Sequence, residues 1–245
     1  LKTGGKAMRN FAVITLTLCV AALMIQTSGA LADRIPNQRG LEFRAGFSHY
    51  FMDDPRNLVD SYQDGYTVST TPGAPMLGLS LLYKTYPNFG WNIGYNYIMN
   101  STLKAEGPET VELKLRGHEL FAMGCYYMPL WSDWTLQFGL GVNAFMGSID
   151  RDQVSGGYRD ASGRSLGFLA NIAVELPLKE HLGLKLGAGY RRALIDQVAY
   201  RDASDREHTV FYGSRPLELD FSGFYGHLGL AVYFQPATHF KTYED

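Results

Sequence analysis

From Gly40 onward the chain alternates apolar and polar residues every second position, the period of a half-buried strand, and no segment sustains a helical period. In the first such run Leu41, Phe43, Ala45, Phe47 and Phe51 oppose Glu42, Arg44, Gly46 and Ser48. A second, from about Met76 to Tyr86, sets Leu77, Leu79, Leu81 and Tyr83 against Gly78, Ser80 and Lys84. In the third, Phe89, Trp91, Ile93, Tyr95 and Tyr97 alternate with Gly90, Asn92, Gly94 and Asn96. The fourth sets Val111, Leu113 and Leu115 against Glu112, Lys114, Arg116 and His118, and its apolar face continues through Phe121, Met123, Cys125 and Tyr127. Trp134, Leu136, Phe138, Leu140 and Val142 mark a fifth, Leu166 to Leu176 a sixth, and Leu182 to Tyr190 a seventh. An eighth begins with Leu217, Leu219 and Phe221, slips phase at Gly223 to Gly226 as a β-bulge would, and resumes with Leu228, Leu230, Val232 and Phe234.

The eight predicted strands are joined by connections that alternate in length. Long loops are expected at 52–75, 100–110, 147–164 and 193–216, and tight turns at Pro87-Asn88, PLWSD and PLKE. A meander then has every long loop at one end, the asymmetry of outer-membrane barrels with short periplasmic turns and long extracellular loops. The predicted architecture is an all-β, eight-stranded, antiparallel up-and-down transmembrane barrel.

Which face lies outside is not given by alternation, because a soluble lipocalin-type barrel alternates too. Composition changes the picture here. The 245 residues include 27 Gly, 16 Tyr and 14 Phe, and glycine crowds the polar face at 46, 78, 90, 94, 139, 141, 167, 183, 187 and 189. Small residues suit the narrow interior of an eight-stranded barrel. The charges on that face are balanced, as buried charges must be: Arg44, Lys84, Lys114, Arg116, Lys185 and Arg191 against Glu42, Glu112, Glu175, Glu218 and Asp220. The apolar face is therefore expected to meet lipid. Trp91, Tyr127, Trp131, Trp134 and Phe234 form one aromatic belt, and Tyr50, Phe51, Tyr97, Phe145 and Tyr190 the other. A mean hydropathy of -0.14 averages these two faces. Lys+Arg 22 against Asp+Glu 24 argues against a nucleic-acid partner.

Residues 1–32 read as a secretory signal peptide: Arg9, an apolar run from Phe11 to Ile25, and an Ala30-Leu31-Ala32 cleavage site, with Met8 as the candidate start. Its removal takes away Lys2, Lys6 and Arg9 and no acid, so 19 basic residues face 24 acidic ones, a net charge of -5. The barrel is assigned to 33–236 and a short periplasmic tail to 237–245. Cys125 alone would remain, so export needs no disulfide.

The last strand ends His227-Leu-Gly229-Leu-Ala-Val232-Tyr-Phe234. This resembles the C-terminal signal read by the barrel-assembly machinery, and the whole pattern is similar to OmpA/OmpX-type and OmpW-like small barrels. The resemblance implies a monomer that meets outer-membrane lipid and lipopolysaccharide, needs no cofactor, and has either a plugged lumen or, as in OmpW-like proteins, a narrow path for small solutes.

Two loops share a segment: Asp-Gln-Val followed by Tyr-Arg-Asp-Ala-Ser, one variable residue and Arg. One copy holds Tyr158, Arg159, Asp160 and Arg164, the other Tyr200, Arg201, Asp202 and Arg206. An internal repeat of this kind suggests duplicated hairpins. The paired Tyr-Arg-Asp groups either offer arginines to an anionic surface ligand or serve as turn chemistry. Some eight-stranded barrels modify lipid A through a His-x-Ser element, but the residues two positions after the six histidines are Phe51, Leu120, Gly183, Val210, Gly229 and Lys241. The acids of the loops lack calcium-site spacing, and no zinc cluster or phosphate loop is present. The sequence thus points to a non-enzymatic barrel acting structurally or through its surface loops, with solute passage and lipid A modification as the rival roles.

Overall fold

A computed structural model of the chain describes residues 38–60, 67–70, 73–85, 88–106, 110–130, 134–153, 158–202 and 204–234. The leader 1–32, the tail 237–245 and Trp131 lie outside the described residues. Eight long strands form the barrel: β1 Gln38–His49, β2 Gly73–Thr85, β3 Phe89–Glu106, β4 Val111–Pro129, β5 Thr135–Gln153, β6 Tyr158–Lys179, β7 Leu182–Arg191 and β8 Gly223–Tyr233. Each pairs antiparallel with the next, and β8 returns to β1 in an unbroken register from Gly40↔Tyr233 to Ser48↔Tyr225, which closes the barrel. Closure leaves no free edge within the belt.

The exterior is apolar on all sides of the lower barrel. Phe43, Leu79, Trp91, Leu120, Val142, Ile172, Leu186 and Leu230 are all large and exposed. A water-soluble protein would not leave so large a continuous apolar surface uncovered.

Strand lengths break the symmetry. β1, β2, β7 and β8 have 12, 13, 10 and 11 residues, close to the roughly 9–11 that cross a bilayer. β3 to β6 have 18, 19, 19 and 22. Four neighbouring strands therefore rise beyond the apolar belt as a wall on one side. Above the belt the surroundings invert: water lies outside, so the charged residues of β4 point out and its Val111, Leu113 and Leu115 point in. Two expected loops, 100–110 and 147–164, are mostly these extended strands. Their polar residues read as loop because an outward-facing polar row in water resembles one.

The chain after β1 and the chain between β7 and β8 fold over the open side and pack on the inner face of the wall. Tyr50, Met76, Ile98, Leu103, Leu113, Leu115, Phe145, Ile149, Ile195, Leu217, Leu219 and Phe221 form one buried cluster there. Leu217, Leu219 and Phe221, expected to begin the last strand, are instead part of this cap, and β8 pairs with β1 and β7 without a bulge. Register shifts fall elsewhere: between Ile98 and Ser101 of β3; opposite Ile149 to Arg151 of β5, where β6 carries the extra residue; and between Pro177 and Lys179 near the short-turn end of β6. A helix, α1 (Asp53–Asp60), is part of the cap. Its Asp54 is buried and accepts from Arg215 Nη2 at 2.5 Å and from the Glu218 backbone N–H at 3.2 Å. Short strands from the cap cover both edges of the wall: Thr67–Thr70 pairs with Leu103–Glu106 of β3, and Ala199 of the strand Ala199–Arg201 pairs with Ser162 of β6.

Candidate functional site

Within the belt, the inward positions of the strands converge on a charged lumen. At the short-turn end Lys84 Nζ of β2 meets both carboxylate oxygens of Glu175 on β6 at 3.0 Å, and Tyr233 OH also donates to Glu175. The Lys84 ammonium lies 4.6 Å from the ring centre of Tyr233 and 5.2 Å from that of Tyr127. Lys185 of β7 links two acids, lying 3.3 Å from Glu42 Oε2 and 3.7 Å from Glu175 Oε2. Arg44 Nη2 donates to Glu42 Oε2 at 3.3 Å and to Ser80 Oγ at 2.9 Å. His227 stands 3.8 Å from Glu42, and Gly229 leaves room for that carboxylate, since a Cβ there would lie 2.7 Å from Glu42 Oε1.

Nearer the cap a second cluster centres on Glu119. It accepts from Asn96 Nδ2, Asn143 Nδ2 and Arg191 Nη1, each at 2.7 Å. Arg191 also donates to Ser48, and its guanidinium lies 5.4 Å from the ring centre of Phe145 and 5.7 Å from that of Tyr225. Among the described residues the buried lumen charges are Arg44, Lys84, Lys185 and Arg191 against Glu42, Glu119 and Glu175, four positive to three negative. The aromatic faces around Lys84 and Arg191 supply the rest of the negative potential.

The expected interior network is corrected at five positions, Asp220 being one of them, since it lies in a short cap strand paired with Leu194. Glu42, Arg44, Glu175, Lys185 and Arg191 line the lumen, but Glu112, Lys114 and Arg116 face outward on the wall, with side chains 23%, 42% and 37% exposed. Glu218 lies in the cap, 41% exposed and paired with Arg215. Glu119, which sequence reading missed, takes their place. It shares parity with Phe121, Met123, Cys125 and Tyr127, the face of β4 that was expected to meet lipid and that points inward. Between 120 and 128 both faces of β4 are apolar, so alternation could not orient it; a lone acid among them was the available signal. The belts are corrected too: Tyr127, Tyr50 and Phe145 are buried inside, while Trp91, Trp134 and Phe234 are exposed outside. Of the expected assembly signal, His227 and Gly229 face the lumen, Val232 is half-buried, and Phe234 N–H donates to Arg39 O at 2.8 Å, just past β8.

The two copies of the repeated segment are neighbours, joined by the Ala199↔Ser162 pair, but they differ in structure. The first lies in the upper part of β6, where Asp160, at a φ of 53°, pairs with Arg116 and its backbone N–H donates to Asp150 Oδ1 at 2.5 Å. The backbones of Tyr158 and Arg159 belong to the same strand. The second is a turn built on Asp202, whose Oδ1 accepts from the Ser204 and Arg206 N–H groups at 2.8 and 3.0 Å while Oδ2 meets His208 Nε2 at 2.9 Å. The His208 hydrogen bond, with those backbone donors, holds the Asp202 carboxyl below the usual carboxylate value. Arg201 is exposed and pairs with Asp205, and Tyr200 stacks on His208 at 5.4 Å. Among the described residues no three His, Cys, Asp or Glu side chains are grouped to hold a metal ion.

No protein-family model matches the sequence, and no curated protein matches it either. Solved structures do match in fold. The outer membrane protein OprG from Pseudomonas aeruginosa superposes with a TM-score of 0.54 at 15% identity, covering 84% of this chain and 99% of that one. A major outer membrane protein from Thermus thermophilus gives 0.49 at 13% identity, covering 80% and 99%. Ail, the attachment invasion locus protein of Yersinia pestis, solved with the heparin analogue sucrose octasulfate, gives 0.46 at 10% identity, covering 82% and 100%. The chain has the closed eight-stranded antiparallel fold of small outer-membrane barrels.

Proposed function

We propose that the protein resides in the outer membrane of a Gram-negative bacterium and works through the surface it raises outside, without passing solute and without catalysing a reaction. The filled lumen carries this reading. Ion pairs join β2 to β6, β1 to β7 and β4 to β7 across the interior, and the apolar cap packs above them. Opening a path would separate buried charges from their partners, at a cost of several kcal/mol each.

The extended wall and cap supply the working surface, with the duplicated Tyr-Arg-Asp segments side by side on it. The arginine of the second copy is engaged with Asp205 of its own turn, which favours a scaffolding role for that copy. Reconstitution of the purified protein into planar lipid bilayers tests the reading. Electrically silent bilayers containing barrel that still migrates differently boiled and unboiled are expected. Discrete conductance steps would overturn it in favour of a narrow solute channel, and a mass shift in lipid A on expression would overturn it in favour of an enzyme.

A further inference from the structure

The outer side of the wall holds a concavity of about 650 Å3, within the roughly 300–1,000 Å3 range of ligand pockets. It is built from two transverse rows of paired residues. In the lower row Tyr95 pairs with Leu120, Leu120 with Ala144, and Ala144 with Leu166. In the upper row Tyr97 pairs with His118, His118 with Met146, and Met146 with Arg164. The edge of the apolar belt runs between these rows. Ala144 is the small member of the lower row, so Leu120 and Leu166 stand as banks on either side of it, and Leu166 is 87% exposed.

The rim is polar and cationic. Arg116, Lys104 and Lys114, higher on the wall, all meet carboxylates of Glu112, Asp150 or Asp160. Arg164, the last residue of the first repeat copy, is exposed and has no carboxylate partner among the described residues. His118 Nδ1 is 2.6 Å from Tyr95 OH, which leaves Nε2 as the unused polar atom of the ring. An apolar trough below the belt edge with an unpaired guanidinium directly above it is complementary to an amphiphile with an acyl chain and a phosphate.

We propose that this groove binds a phosphorylated glycolipid of the outer leaflet, its acyl chain lying over Ala144 between Leu120 and Leu166 and its phosphate on Arg164, with His118 Nε2 as a second donor. The proposal rests on the reading above that the wall end of the barrel faces the cell exterior. It accounts for an arginine at the belt edge that has no carboxylate partner among the described residues.

The test is native mass spectrometry of the detergent-solubilised full chain titrated with lipid A, dephosphorylated lipid A, phosphatidylglycerol or phosphatidylcholine. Wild type should retain lipid A in preference to the other three. Arg164→Gln should lower retention of lipid A about tenfold, the loss expected for a charge-assisted phosphate contact, and should narrow discrimination against the dephosphorylated form to what His118 alone supplies. Ala144→Phe, which fills the trough, should lower retention of both forms. Arg206→Gln, the equivalent residue of the second repeat copy, should leave binding unchanged. Equal retention by wild type, Arg164→Gln and Ala144→Phe would overturn the proposal. So would phosphatidylglycerol binding as tightly as lipid A, or an equal loss in Arg206→Gln. Heat-dependent migration of each variant separates these outcomes from failure of the barrel itself, and Leu166→Ala replaces Ala144→Phe if the latter does not fold.

Discussion

Glu119 accepts three hydrogen bonds at 2.7 Å inside the belt, one of them from an arginine as buried as itself. Removing the acid strands the Arg191 charge. Glu119→Ala should therefore destabilise the barrel by about 3–5 kcal/mol, read as a lower urea midpoint in lipid vesicles, whereas Glu112→Ala on the wall should change it by less than about 1 kcal/mol. Equal effects would place Glu119 outside the network. Asp202 obeys a different control. Its carboxyl titrates below the free value of 3.8, so the turn is held fully above that value and released as the pH falls through the lower folded value. Protection of the Ser204 and Arg206 amides, taken relative to their intrinsic exchange rates at each pH, should fall on acidification in wild type and be absent at every pH in Asp202→Ala; an unchanged Ser204 protection would refute the turn assignment.

Among the elements, the cap is the one that can fail alone. Phe221 is fully buried, 5.4 Å from the ring centre of Tyr50 and 4.7 Å from that of Phe145. Truncating such a side chain costs about 3–5 kcal/mol. Phe221→Ala should let protease cleave within 193–221 while the eight-stranded core keeps its heat-dependent migration; loss of both together would mean that cap and barrel unfold as one unit. The eight strands were legible in the sequence, since β1, β2, β3 and β7 alternate between an apolar face and one of glycine, asparagine, serine or charge, with Leu82 an exception in β2. What was not legible was where the solvent changes. Period two reports which residues share a face and says nothing about what that face meets, so Lys114 and Arg116 looked interior and Tyr127 and Phe145 looked exterior. Continuing the phase of β5 from Gln137 through Asn143 to Phe145 would have turned Phe145 inward. No pattern of one strand could have shown that 217–221 leaves the sheet for the cap, because that segment is apolar in either setting.

At the scale of the whole molecule, inside and outside are chemically distinct compartments on one chain. Cys125 is buried in the lumen, so a membrane-impermeant maleimide should leave wild type unlabelled on intact cells and label Lys114→Cys on the wall readily. Labelling of Cys125 in the native state would mean a water-filled lumen and would contradict the silent bilayers expected above. The seam between β8 and β1 carries a last consequence, which concerns time. Every other neighbouring pair of barrel strands is consecutive along the chain, but Gly40 meets Tyr233 only after nearly the whole barrel has been laid down. The contacts of Lys185 with Glu42 and of Arg191 with Ser48, each 143 residues apart, wait on the same event. Until the two ends meet, these long-range contacts are missing, and the entropy of joining segments so far apart along the chain makes closure the step that should limit the rate of folding.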